Sequence, residues 1–176
     1  RLARRHASRE LGPGPLPMGG ALEASDLTAV VLGTVREGCI GETLAALEAA
    51  EALRHCEDEI VRPVLERIAA EETRHAELAW RFVAWALRTT LGSVDSTDLR
   101  RQVREAFAAE LGAAAAAQPI SSLDRELARH GLLGASVRQA LRTRALREVI
   151  APGAAALLEL VVRNEREPSH TPGSGI

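Results

Sequence analysis

Hydrophobic positions along this chain recur at intervals of three and four residues, and nowhere by simple alternation. That period belongs to amphipathic helices and excludes half-buried strands, so the fold class it predicts is all-α. The first ten residues, RLARRHASRE, read as the end of a helix, and LGPGPLPMGG, with three prolines and four glycines, cannot continue it. Residues 1–24 are therefore expected to be a helix remnant and linker. From Ser25, with Asp26 as the alternative N-cap, a helix is expected to about His55. Asp58 is positioned to cap a second, from about Glu59 to Leu91, with Pro63 near its start, and the short HCED turn makes the two antiparallel neighbours. These form the helix pair 25–92.

LGSVDSTD is the next break; Asp98 is expected to cap a third segment reaching about Ala117, where Gln118-Pro119 stops it. Shorter helices are expected over 122–130 and 135–150, a break at Pro152-Gly153, and a last helix over 154–165. Residues 93–166 read as additional helices of the same domain, and EPSHTPGSGI, from 167, as a disordered tail. Gly33, Gly38 and Gly41 fall inside the first helix, where each costs about 1 kcal/mol relative to Ala. Their clustering predicts close approach of a neighbouring helix.

Composition narrows the chemistry. All 22 cationic side chains are Arg, so a Schiff-base lysine and a P-loop lysine are both excluded, and the absence of Tyr excludes a tyrosyl radical. The net charge of -2 provides no broad positive field for nucleic acid; the basic stretch RQALRTRALREV lacks a helix-turn-helix around it. No apolar run is long enough to span a bilayer. Cys39 and Cys56 fall on one expected helix roughly 25 Å apart and cannot bridge each other.

The informative stretch is IAAEETRHAELAWRFVAWAL, which contains Glu72-x-x-His75, two metal-capable side chains one helical turn apart. With 19 Glu and 5 His, about half a match is expected by chance. A second match, Glu167-x-x-His170, has Pro168 inside it and no helix to hold it. The first is distinguished by register. Val61, Leu65, Ile68, Glu72, His75, Ala79, Phe82 and Ala86 follow an unbroken 4,3,4,3 spacing, which puts Glu72 and His75 at expected core positions. A carboxylate there requires a partner, either an arginine such as Arg36 or Arg104, or a metal. On the preceding helix, VREGCIGETLAAL offers Glu37 and Glu42, five apart and thus about 140° apart around an α-helix, so that one alone can face the site.

A Glu on one helix followed by Glu-x-x-His on its antiparallel partner resembles half of the ferritin-like, carboxylate-bridged di-metal site. The strings REGCIGETLAAL and ERIAAEETRHAELAW are similar to the second helix pair of bacterial ferritin-like domain proteins, over about residues 11–90. The resemblance implies a ferritin-like antiparallel bundle, here a C-terminal portion with extra helices. The 35 residues from Glu37 to Glu72 match the family's gap, which implies Glu37 as terminal ligand, Glu72 as bridge and His75 as terminal ligand. It also implies iron, as a di-iron centre, or manganese, in an oxidoreductase or iron-handling protein. The family's site takes two Glu and two Glu-x-x-His units, whereas this chain carries one set. The expected complement is a missing preceding helix pair or a second chain in a homodimer, with the former preferred. The alternative expectation is a metal-free helical scaffold or interaction module of the same fold.

Overall fold

The computed structural model describes residues 26–90, 95–112, 119 and 121–166, and every regular element among them is helical. The expected linker over 1–24, the end of the third segment over 113–118 and the tail from 167 lie outside the described residues. Five helical runs are present among the described residues. Run α1 covers 27–55 as α-helix Leu27–Gly33, π-helix Thr34–Glu42 and α-helix Thr43–His55. It is followed by α2 (Arg62–Thr89), α3 (Asp95–Leu111) and α4 (Ser122–Arg129). The last, α5, covers 135–166 as Ala135–Ala145, a π segment Leu146–Ile150, and Ala151–Arg166.

The α1–α2 pair forms as the capping residues dictate. Asp26 takes the N-cap role, its Oδ1 accepting from the Ala29 amide at 2.8 Å. Asp58 Oδ1 accepts from the amides of Ile60 and Val61, so it caps a turn, and α2 itself begins at Arg62, three residues later than expected. Arg62 closes the connection by donating to the carbonyls of Leu53 and Cys56, which the end of α1 leaves without helical partners. The two helices then run back along each other. Of the three glycines, Gly38 accounts for the closeness: a Cβ there would sit 2.5 Å from the Ala79 Cβ.

The core lies between this pair and α3 and α5. It is built from Val31, Val35, Ile40 and Leu44 of α1, Val83 and Leu87 of α2, Leu99, Val103 and Phe107 of α3, and Leu146, Ile150 and Leu157 of α5. Trp80 is a packing residue: it stacks on Phe107 with ring centroids 5.4 Å apart, its Nε1–H donates to Thr43 Oγ1 at 3.3 Å, and Gly153 makes room beneath the ring.

Two expectations are corrected. Asp98 does not cap α3; it lies inside the helix, binding Arg101 and Gln102 one turn on, because α3 already begins at Asp95. Pro152-Gly153 does not break the chain either. The π segment immediately before Pro152 shifts the hydrogen-bond register, with Ala151 N–H donating to Leu146 C=O, and the helix continues through the proline.

The end of α4 is a Schellman motif: Gly131, at φ 79°, follows the C-cap, Leu132 N–H donates to Leu127 C=O, and Gly131 N–H donates to Ala128 C=O. At its start, Ser121 and Asp124 form a capping box. Asp124 also accepts from Ser136 Oγ at 2.6 Å and rests against Gly134, tying the starts of α4 and α5 together through one buried carboxylate.

Candidate metal centre

Glu72 and His75 sit side by side on α2, with His75 Nδ1 3.0 Å from Glu72 Oε2. Across the interface, Glu42 at the end of the π segment brings a third donor, and one ligand atom from each of Glu42, Glu72 and His75 lies within 4.8 Å of the others. A cation with bonds of about 2.0–2.2 Å keeps its donors within about 4.4 Å of each other. A spread of at most 4.8 Å is close to that span. Neither of the anticipated arginines, Arg36 or Arg104, is among Glu72's partners, which are Glu42 and His75.

Of the sequence candidates Glu37, Glu72 and His75, the structure brings together Glu72 and His75 but sets Glu37 outside the cluster, on an exposed position, with Glu42 in the place assigned to it. The π segment explains why the α-helical angle between the two glutamates is a poor guide. Its i→i+5 bonding stacks residue 42 over residue 37 in the way an α-helix stacks residues four apart. Glu37 therefore lies on the same side, one turn away, and its charge is felt by Glu42. Threonine hydroxyls bracket the segment: Thr34 Oγ1 donates to Val30 C=O at 2.8 Å and Thr43 Oγ1 to Cys39 C=O at 2.7 Å, back-bonds that bend helices. T-x-x-x-x-x-x-x-x-T around two glycines, Gly38 and Gly41, was the available sequence signal, and it is a weak one.

The core positions expected for Glu72 and His75 are corrected. The His75 side chain is 59% exposed and that of Glu72 26%. The face of α2 that enters the core is Ala76, Ala79, Val83, Ala86 and Leu87: it keeps Ala79 and Ala86 of the expected stripe but takes Ala76 and Val83 in place of His75 and Phe82. Gly38 packs against Ala79 on this face, where α2 presents no bulk to the approach of α1. Glu42 and His75 edge an open groove of about 580 Å³, whose walls include Val30, Thr34, Gly38, Leu78 and Phe82.

The electrostatics follow from two carboxylates meeting. Hydrogen bonding to Glu72 is the first cause that raises the Glu42 carboxyl above its ordinary range; desolvation and the negative charges of Glu72 and Glu37 add to it, and His75 opposes. Glu72 moves below its ordinary range through hydrogen bonds with Glu42 and His75. Two carboxylates this close favour sharing a proton, or a cation in its stead. Cys39, buried behind the site, has its thiol pushed up to about 12 by desolvation and is chemically quiet. Cys39 and Cys56 are both free.

No protein-family model, no curated protein and no solved structure matches this chain.

Proposed function

We propose that this chain is a helical metal-binding domain of ferritin-like type, holding Fe(II) or Mn(II) through Glu42, Glu72 and His75. The observation that carries the reading is the convergence of these three donors across the α1–α2 interface, two carboxylates and one imidazole within 4.8 Å. The donor set suits the metal: mixed carboxylate and imidazole ligation favours iron or manganese over structural zinc, which recruits thiolates, and both thiols here lie outside the cluster. Three protein donors leave coordination positions open toward the groove. With iron bound, the centre would supply one-electron chemistry toward oxygen or peroxide, in an oxidoreductase or an iron-handling protein. The chain's own residues would hold the ion beside the open, mostly apolar groove.

The resemblance names Glu37 as the ligand where the geometry favours Glu42, and we assign Glu42. Glu37, one π turn away, supplies negative charge that strengthens cation binding from a distance.

Titration of the 176-residue protein with Fe(II) under anaerobic conditions and with Mn(II) tests this. Glu42→Ala, Glu72→Ala and His75→Ala are each expected to weaken binding by at least about a hundredfold, and Glu37→Ala by less than tenfold. Equal stoichiometry and affinity in the wild type and all four variants would mean a metal-free scaffold. The observation favouring that second reading is that the Glu42–Glu72 contact and the Glu72–His75 hydrogen bond already give the cluster internal partners.

A further inference from the structure

Along α2 a bare apolar seam runs beside a row of arginines. His75, Leu78, Phe82 and Trp85 follow a 3,4,3 spacing, the interval at which knobs enter a facing helix. Leu78 is 67% exposed, and Val30 of α1, which lines the groove with Leu78 and Phe82, is 41% exposed. Trp85, 49% exposed, lies beyond the groove and extends the seam, its ring centroid 5.7 Å from that of Phe82. The two flanks of the seam differ. On one, Ala79 and Ala86 are buried, and Gly38 of α1 packs against Ala79. On the other stand Arg74, Arg81 and Arg88, all exposed and seven residues apart, so that they stack in one line at two-turn intervals. Arg81 reaches Glu77 at 3.5 Å with its side chain 80% exposed, a pair that contributes little, and Arg74 and Arg88 pair with no carboxylate among the described residues.

We propose that this face docks an acidic amphipathic helix of another protein, its apolar residues in the seam and its carboxylates along Arg74, Arg81 and Arg88. The inference stands apart from the metal reading, since none of the three arginines belongs to the ligand cluster. The seam sets the shape: a groove between Val30 on one helix and Leu78 and Phe82 on the next accepts a third helix. The flank sets the charge, because the positions beside a helical seam choose the partner through salt bridges across it, and three arginines require acidic residues opposite. A second copy is the wrong partner. Paired antiparallel with itself, α2 sets the arginine row against the same row; paired parallel, it sets that row against the alanine flank, which α1 already covers. The chain's own stretch RLARRHASRE, with four arginines, is repelled in the same way. An anionic bilayer fits less well than a helix, because a flat surface leaves the groove unfilled and Glu42, at its end, and Glu77, beside Arg81, oppose anionic headgroups.

Calorimetric titration of the 176-residue protein with two synthetic three-heptad peptides, alike in a leucine seam and carrying either Glu or Lys along its flanks, tests the proposal. EDTA is present throughout, so failure of the metal reading leaves the outcome unchanged. The Glu peptide is expected to bind at least about tenfold more tightly than the Lys peptide, with a preference that narrows as salt is added. Combining Arg74→Glu, Arg81→Glu and Arg88→Glu, at exposed positions and with the fold checked by circular dichroism, is expected to reverse the preference. Leu78→Asp alone is expected to weaken the Glu peptide by at least about tenfold. Equal affinity for the two peptides, or binding of neither, overturns the proposal. A preference that the triple variant leaves unchanged overturns it by placing the contact elsewhere. Binding to phosphatidylserine vesicles without binding of the Glu peptide overturns it in favour of a membrane surface.

Discussion

Gly38 of α1 lies so close against Ala79 of α2 that a methyl group on the glycine would meet the alanine Cβ at 2.5 Å. This contact sets the spacing of the two helices that carry the donors, since Glu42 is four residues on from Gly38 and His75 four residues before Ala79. Gly38→Ala is expected to destabilise the protein by about 1–3 kcal/mol, reduced by up to about 1 kcal/mol of gained helix propensity. On the proposed metal reading, the same substitution is expected to widen the cluster and weaken Mn(II) binding. Ala79→Gly in that background restores both, a coupling read from a double-mutant cycle in denaturant and metal titrations. Additive effects would show that the contact does not set the spacing.

Glu42→Gln separates ligation from folding. The Glu42 carboxyl is held above its ordinary range, so the folded state binds that proton more tightly than the unfolded chain. Its contribution is fully present below the unfolded pKa and is lost as pH rises through the folded one. In metal-free protein at pH 7 the amide keeps a hydrogen bond and removes the repulsion, so Tm is expected to rise by about 1–3 °C while metal binding is lost. At pH 4 the wild type and variant are expected to melt together. A fall in Tm at pH 7 would make Glu42 a structural residue.

Asp124 behaves in the opposite sense. Hydrogen bonds from Ser136 and Ser121 hold its carboxyl below the usual range. The stabilisation is present above the unfolded Asp pKa and disappears as pH falls through the depressed folded value. Ser136→Ala is expected to cost about 1–2 kcal/mol at pH 7. Urea titrations should show this difference shrink below about pH 3.9, the unfolded Asp value. A pH-independent difference would assign the loss to packing around Gly134 instead.

Cys39 gives a probe of opening. It is fully buried and its thiol is pushed up to about 12, so a maleimide reagent at pH 7 should label it only through unfolding, at a rate that follows global stability across urea concentrations. Fast labelling in native buffer would mean that α1 opens locally at the π segment.

Much of the fold was legible in the chain. The three- and four-residue spacing, Asp26, the HCED turn and Pro63 locate α1 and α2 within a few residues, because caps and turns act on their own neighbours. Glu72 and His75 were legible as a pair for the same reason: an i,i+3 step on an α-helix is set by the backbone alone. The choice between Glu37 and Glu42 was not, since an α-helical wheel puts them on different sides and the π register puts them on one. Nor was the continuation of α5 through Pro152, which again depends on a π segment placed before it.

The sequence by itself determined that this protein is helical, where its first two helices turn, and which side chains could ligate, because those properties are encoded within a few residues of one another. The tertiary structure decided which glutamate meets Glu72 and His75, that the cluster edges an open groove instead of the core, and which stripe of α2 is left bare. Those outcomes depend on helix rotation and hydrogen-bond register. A single methyl-sized contact between Gly38 and Ala79 limits the first, and packing against α3 and α5 bears on both.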